Sequence, residues 1–534
     1  MKASSDASPE APRPERRNLS IALYLAITGL SAACGLVIEI VAGRMIAPYL
    51  GMSLYTWTAV IAVVLAGFSA GHWVGGWLAG KDAGYARRGI TLSLLLAGLS
   101  AVLSLVLLRT LSGPVLFLGL PTVPTILILT TLLFFLPSFF VGIPSPALTK
   151  LAIDEAPGRM GQLLGAFYAI GAMGSIAGTL AAGYIFISYF GSIRTILTVA
   201  ALYFAMAAAL FAEDRWREGK TFTSKASLAP VVVAALLAAG LLLWGRSVQT
   251  FVENCTKESA YYCIRVIDIT ADVGIPARTM VLDNLGHGTN LKDRPATFLT
   301  PYVEAQDALV SIRKIDHTGT SAPQAAPFSA FFIGGGAYTL PRAWLTTHAG
   351  SQMTVAEVDP DVTRIAHESF WLPKDPRLKI IHQDARSALA KEAEASFDVI
   401  VGDAFHDIAI PQHLVTQEFF ELVASRLKKG GAYLMNVVDN GGKPRLALSI
   451  YDTLQEAFPI VELWRPYGQG ERQTFVILAA TTPTAKADIF SKVDPTSSWH
   501  RYTESDLKKL RAATAQPIVL TDDFAPVDRL IGVE

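Results

Sequence analysis

Ser329-Ala330-Phe331-Phe332-Ile333 runs directly into Gly334-Gly335-Gly336, and this stretch decides how the second half of the chain is read. A short apolar run closed by glycines reads as a buried strand. Glycines at its end let backbone approach a ligand with no Cβ in the way. Outward from it, strand and helix patterns alternate. Met353-Thr354-Val355-Ala356 leads into Glu357-Val358-Asp359-Pro360, and Leu378-Lys379-Ile380-Ile381 into Gln383-Asp384-Ala385. Phe397-Asp398-Val399-Ile400-Val401-Gly402 ends in Asp403-Ala404-Phe405-His406-Asp407. This alternation predicts a parallel sheet with crossover helices, and ligands of such sheets bind outside the carboxyl ends of the strands.

The acidic residues all fall at that edge. An acid about 20 residues past a glycine turn is placed to accept from both ribose hydroxyls, which makes Glu357 the ribose candidate; Asp384 can accept from an adenine amine. Taken singly, each acid reads equally well as a helix cap or a solvated loop. The G-x-G-x-x-G fingerprint fails because Thr339 stands at its last glycine position, which counts against a nicotinamide dinucleotide. Residues from about Asn254 to Val303 read as short strands, for example Tyr262-Cys263-Ile264-Arg265-Val266 and Thr279-Met280-Val281-Leu282, separated by turns.

The first half has another character. Of the 534 residues 51% are hydrophobic and 17% charged, a mixture that suits a multi-helix membrane domain joined to a soluble one. A bilayer-crossing helix needs about 20 apolar residues. Seven runs qualify as spans: 20–43, 56–79, 89–108, 123–147, 162–187, 192–212 and 228–244. The organisation expected is a disordered segment 1–18, a transmembrane domain 19–246, a small β-subdomain 254–304 and a Rossmann-like domain 305–534. Gly67, Gly71 and Gly75, and again Gly174, Gly178 and Ala182, recur every fourth residue and mark close helix packing. Pro137, Pro144 and Pro146 should kink or end the fourth span. Glu39 is the intramembrane acid; it either bonds a neighbouring helix, with His72 as one partner, or lines a polar site.

Lys and Arg collect in alternating loops: Arg13, Arg16 and Arg17; Lys81, Arg87 and Arg88; Lys150 and Arg159; Arg215, Arg217, Lys220 and Lys225. The positive-inside rule puts the N-terminus in the cytoplasm, so an odd number of spans sends the second half outside. Cys255 and Cys263 are either a disulfide, which fits that side, or two free thiols. An adenosyl compound, made in the cytoplasm, fits the other side, and the sequence leaves the side open. A formal net charge of zero gives no field to draw in nucleic acid. No cysteine or histidine ladder suggests a metal.

On Leu282-Asp283-Asn284, Gly334-Gly335-Gly336, Glu357-Val358-Asp359-Pro360, Asp384-Ala385-Arg386, Phe397-Asp398-Val399-Ile400 and the loop from Asp403 through Pro411-Gln412-His413-Leu414, the chain resembles the spermidine synthase (polyamine aminopropyltransferase) family. More closely it is similar to bacterial membrane proteins in which such a domain follows a multi-span region. The resemblance implies a small N-terminal β-domain on a methyltransferase-like Rossmann domain. It implies an S-adenosyl donor, S-adenosylmethionine or its decarboxylated form, held by Gly334, Gly335, Gly336, Glu357, Asp384 and Ala385. Asp403, Tyr262 and Asp407 are the catalytic candidates, with Asp403 beside the reacting amine and Tyr261 or Tyr262 walling its pocket by cation–π attraction. By the same resemblance the tail Leu520-Thr521-Asp522-Asp523-Phe524-Ala525-Pro526-Val527-Asp528 packs near the active site; read by itself it is equally a capped C-terminal turn. The chain departs from the family where Ala337 replaces the Asp after the glycines, where Asp407 lies four rather than three residues past Asp403, where Asn284 and His287 replace a Gly and a Gln, and where a Tyr-His pair survives only as Tyr302-Val303. Loss of that Asp admits a donor that keeps its carboxylate, with Arg342 as counter-charge.

The leading expectation is an integral membrane transferase of the bacterial inner membrane, moving an aminopropyl-type group to a small-molecule amine and releasing methylthioadenosine. Membrane lipid is the other partner, and a homodimer is the assembly considered. The alternatives are an S-adenosylmethionine-dependent methyltransferase and a non-catalytic transporter or sensor that binds a nucleoside or polyamine.

Overall fold

The computed structural model describes residues 14–218, 225–318, 327–405, 410–468, 470–493 and 498–531. The chain forms two compact units, one of helices ending at Glu253 and one made of the chain from Asn254 onward together with Gly51–Leu54.

The first unit comprises α1 (Pro14–Leu50), α2 (Leu54–Ala79), α3 (Ala83–Phe117), α4 (Thr122–Gly142), α5 (Pro144–Glu155), α6 (Met160–Ala181), α7 (Gly191–Glu218) and α8 (Lys225–Ser247). A π-helical segment, Ala182–Phe190, joins α6 to α7. By length and composition five helical stretches can cross a membrane: Arg17–Leu50, Leu54–Ala79, Ala83–Phe117, Thr122–Glu155 and Pro157–Arg217. Seven spans were expected. The difference arises because Pro157–Arg217 is one 61-residue stretch that doubles back, and Val231–Ser247 is shorter than the rest. Gly191, with φ +74°, breaks the long stretch, and Arg217 at its far end reaches back to bond Glu155 at 2.6 Å, two residues before its start.

Small residues set the helix contacts. A Cβ on Gly71 would lie 2.1 Å from the Phe139 carbonyl oxygen, and one on Gly178 2.2 Å from that of Ala33. Side chains there are excluded, which is how helices in lipid approach closely. The order of contacts, Gly67 to Ser138 and Gly75 to Ile143, then Gly29 to Gly174 and Ala33 to Gly178, makes α2 parallel to α4 and α1 parallel to α6. Pro144 opens α5 just past the end of α4, as a residue without an N–H should. His72 bonds the Phe68 carbonyl of its own helix at 2.7 Å and sits on an exposed face, so it is not shown as a partner of Glu39.

The second unit opens with an antiparallel sheet of β1 (Lys257–Glu258), β2 (Cys263–Asp268), β3 (Ala277–Leu282) and β4 (Leu285–Leu291), with the one-turn helix α9 (Thr270–Val273) between β2 and β3. Cys255 and Cys263 form a disulfide, settling the alternative left by the sequence. The expected strand character up to Val303 stops at Leu291. Pro301 begins a helix instead, α10 (Pro301–Thr318), whose Val303, Ala305, Leu309 and Val310 are buried at helical spacing.

The large sheet follows: β5 (Ser329–Ile333), α11 (Thr339–Thr347), β6 (Gln352–Ala356), α12 (Pro360–Ser369), β7 (Leu378–Ile381), α13 (Ala385–Ala390) and β8 (Phe397–Gly402). Next come α14 (Gln417–Arg426), β9 (Leu427–Asn440), α15 (Arg445–Ala457), β10 (Ile460–Pro466) and β11 (Arg472–Ala480). The unit ends in β12 (Asp488–Phe490), β13 (Ser498–Arg501), α16 (Glu504–Ala513) and α17 (Val527–Leu530). Strand order is β12-β13-β10-β11-β9-β8-β5-β6-β7. The strands from β9 to β7 are parallel, and β11, β10, β13 and β12 extend the sheet antiparallel. Ala330 and Phe332 pack in one core, Phe331 and Ile333 in the other, so β5 is buried on both faces, as the continuous apolar run requires. This is a Rossmann-like doubly wound sheet. Its order reverses between β5 and β8, which places the ligand crevice at their carboxyl ends.

Candidate active site

The parallel register carries three chemically distinct residues to one rim. Gly334 N–H donates to the Ala356 carbonyl, Asp403 N–H to that of Ile333 and Glu357 N–H to that of Ile381, at 2.9, 2.9 and 3.1 Å. Gly334 therefore lies between Glu357 and Asp403, each one step past its strand. It takes φ +93°, and a Cβ there would fall 2.5 Å from the Asp403 carbonyl oxygen. Gly336, with φ +49°, is pressed against the His287 carbonyl of β4, and Asn290 of the same strand donates to the Ala337 carbonyl at 2.8 Å. The small sheet thus clamps the glycine turn from one side.

Glu357 is buried. Its Oε2 accepts from the Gly335 N–H at 2.8 Å and the Gly336 N–H at 3.4 Å, and its Oε1 from the Asp359 N–H at 2.9 Å. Burial pushes its carboxyl up to about 7 against these hydrogen bonds. Two carboxylate oxygens offer about four acceptor sites, of which these N–H groups take three, so room is left for one further donor. Asp359 has a different task. It caps α12 through the Asp361 N–H and accepts from the Ser259 hydroxyl, and Ser259 in turn accepts from the Tyr262 N–H at 2.9 Å. Tyr262 is buried beside Glu357, Asp283 and Asp359; burial first, then these carboxylates, raise its hydroxyl well above the ordinary range.

Asp403 is half-buried. The Tyr302 hydroxyl, from α10, points at both its oxygens, at 3.4 and 3.2 Å. Burial raises its carboxyl to about 6, while hydrogen bonds from Asn436 of β9 and from Tyr302 oppose the rise. The phenol is itself raised, by burial and then by the Asp403 charge. The structure therefore separates residues grouped together from the sequence: Tyr302 and Asn436 attend Asp403, whereas the charged neighbours of Tyr262 are at the Glu357 end. Asp407 lies outside the described residues.

Asp384 caps α13 by accepting from the Ser387 N–H at 2.9 Å, and its other oxygen meets His413 Nε2 at 2.7 Å. Burial raises its carboxyl, but these hydrogen bonds outweigh it and leave the group below its ordinary value. Ala385 is the first residue of α13. Arg386 makes a two-pronged ion pair with Asp522 at 2.7 Å, which brings the tail to this end of the rim. Arg342 does not stand as a counter-charge to a donor carboxylate: its guanidinium is buried and donates to the carbonyls of Trp371 and Lys292 at 3.1 and 2.6 Å. The predicted rim carboxylates thus lie along one edge, while the side chains from α10, β9 and the loop after β8 that meet them were not assigned to the site from sequence. Among the described residues no cluster of three or more His, Cys, Asp or Glu is suited to a metal ion.

Residues 313–464 match the Spermine/spermidine synthase domain family. A "Probable polyamine aminopropyl transferase" of Bifidobacterium longum (strain NCC 2705) is 28% identical over 221 residues, which cover 38% of this chain and 48% of that protein. A polyamine aminopropyltransferase of Vibrio vulnificus (strain CMCP6) is 30% identical over 112 residues, 21% of this chain and 38% of that one. A solved structure, a probable spermidine synthase from Corynebacterium glutamicum ATCC 13032, superposes with a TM-score of 0.41 at 22% identity, covering 49% of this chain and 95% of the other. The chain spans about half the length, or less, of these two curated relatives.

Proposed function

Residues 313–464 belong to the spermine/spermidine synthase domain family, and on that premise we propose that this chain is a membrane-integral transferase that moves an aminopropyl-type group from an S-adenosyl donor to a small-molecule amine, releasing methylthioadenosine. The observation that carries the reading is the single rim on which Gly334 stands between Glu357 and Asp403, with Asp384 farther along the same edge. A rim of carboxylates suits a cationic donor and a cationic acceptor alike. Glu357 keeps acceptor capacity for one ribose hydroxyl, and Asp384 lies toward the adenine.

In this reading the chemistry needs a neutral amine. Its lone pair attacks the methylene carbon next to the sulfonium; the C–N bond forms as the C–S bond breaks, and that electron pair stays on sulfur as a neutral thioether. The amine proton passes to Asp403, whose carboxyl near 6 is mostly ionised at neutral pH and more basic than an ordinary aspartate. Tyr302 holds the carboxylate in position. Tyr262, buried with Glu357 as a charged neighbour, belongs to the nucleoside end.

The helical unit supplies the membrane reading: its five long stretches have the length and apolarity for it. Purified full-length protein, given S-adenosylmethionine or its decarboxylated form with a set of diamines, should release methylthioadenosine. S-adenosylhomocysteine would instead mark a methyltransferase, and the absence of both products and of binding heat would end the reading. Retention of the chain in the membrane pellet after alkaline carbonate tests the membrane part separately.

A further inference from the structure

The helical unit has one charged end. Ser20 of α1 donates to Glu213 at 2.7 Å, Arg87 of α3 to Asp214 at 2.7 Å, and Arg217 of α7 to Glu155 at 2.6 Å. Arg217 also pairs with Glu213 in the same knot. The start of α1, the start of α3, the end of α5 and the end of α7 are therefore gathered together. Lys81, Arg87, Arg88, Lys150, Arg159, Arg215 and Arg217 all belong to helix ends or turns on this side. At the other ends of the same helices the cations are Arg44, Arg109, Arg194 and Arg246.

Glu253, the last residue of the unit, is found at the other end. It pairs with Arg194, in the first turn of α7, at 3.4 Å. Arg194 is separated from Arg217 by about 34 Å of helix at about 1.5 Å per residue, close to the thickness of a hydrocarbon core of about 30 Å. Gly245 of α8 packs on Phe251 and on Val106, far along α3 from Arg87. Two residues after Glu253 comes Cys255, bonded to Cys263. That bond costs two thiols two protons and two electrons, which a thiol–disulfide oxidant must take up, and such oxidants act outside the cytoplasm.

Lys/Arg-rich ends face the cytoplasm. From the exit point of the chain and, independently, from the disulfide, we infer that the unit beginning at Asn254 lies on the extracytoplasmic side, so that the Glu357–Asp403 rim works outside the cytoplasm. The inference rests on the membrane-spanning reading above. It has a consequence for the reaction sequence: an adenosyl donor made in the cytoplasm reaches this rim only after a transmembrane transport step, and the acceptor is an amine present outside.

Glu394→Cys, on an exposed turn of the second unit, and Ala83→Cys, at the charged end of the helices, separate the two orientations. Cells making each full-length variant are converted to sealed right-side-out spheroplasts and to inverted membrane vesicles, then treated with a membrane-impermeant polyethylene-glycol maleimide. Detergent-solubilised protein gives the fully shifted reference. Glu394→Cys should shift in spheroplasts and Ala83→Cys only in inverted vesicles. Glu394→Cys reacting only in inverted vesicles, or in neither sealed preparation, overturns the inference. Alkylation in intact cells should leave Cys255 and Cys263 blocked until reduction; two free thiols there would remove the second support. Release of the chain by carbonate would defeat the membrane reading itself, a result distinguishable from a membrane-bound protein labelled on the wrong side.

Discussion

Glu357 and Asp403 flank the same glycine, and burial raises both carboxyls, to about 7 and about 6, but they are held in different ways. Glu357 is gripped by three backbone N–H groups of its own rim. Asp403 is met by side chains, Tyr302 from α10 and Asn436 from β9. A carboxylate tied to main chain is part of the scaffold, and its place is set whenever the sheet forms. One tied to side chains depends on distant segments docking, and its basicity can be changed by a single substitution. In the proposed reaction this contrast suits the first to binding and the second to proton transfer.

Asp403→Asn should separate them most sharply. Loss of a positioned base costs roughly 10²–10⁴-fold in rate, so kcat should fall by that order while calorimetry still registers the donor; an unchanged rate would remove Asp403 from the chemistry. Glu357→Gln should show the reverse pattern. A charged hydrogen-bond partner is lost, worth about 1.5–3 kcal/mol, so donor affinity should weaken roughly 10- to 100-fold in the same titration. Equal donor affinity in variant and parent would mean that Glu357 only braces the glycine turn.

Smaller effects belong to the tuning groups. The Tyr302 hydrogen bond favours the charged form of Asp403. The proposed proton transfer requires that form, so kcat/KM should rise with pH through about 6 and then level off. Tyr302→Phe should move this limb to higher pH with a kcat loss of about tenfold or less, equivalent to at most about 1.4 kcal/mol; a pH profile that stays in place would limit Tyr302 to packing. A stability effect is read separately, as a melting temperature rather than a rate. Glu357 is raised from 4.5 to about 7, so the folded state holds its proton more tightly than the unfolded one. Its contribution is complete below the unfolded value and is lost as pH rises through about 7. The melting temperature of the parent should therefore fall relative to that of Glu357→Gln across this window, and parallel curves would contradict the burial argument.

Much of the rim was legible because its signals are local. An apolar run that stops at glycines or at an acid marks both a strand and the end where ligands bind, and four such runs predicted β5 through β8 with Glu357, Asp384 and Asp403 at their ends. The second partners were not legible in the same way. Tyr302 lies 101 residues from Asp403, and His413 29 residues from Asp384. Tyr302-Val303 favours strand by composition, and only the buried spacing of Val303, Ala305, Leu309 and Val310 shows the helix. Arg342, which from sequence looked available to a ligand, is consumed by two carbonyl groups.

What the residue order determined by itself is therefore everything carried by short-range pattern: the apolar helical half, the alternating second half, the glycine turn and the acids at the strand ends. Tertiary structure alone decided which acid holds main chain and which meets a phenol, that Cys255 and Cys263 are bonded, and at which end of the bundle Glu253 emerges. The physical reason is range. Periodicity and turn chemistry act over a few residues, whereas a carboxyl's protonation and a chain's exit point depend on groups that only folding brings within a few ångströms.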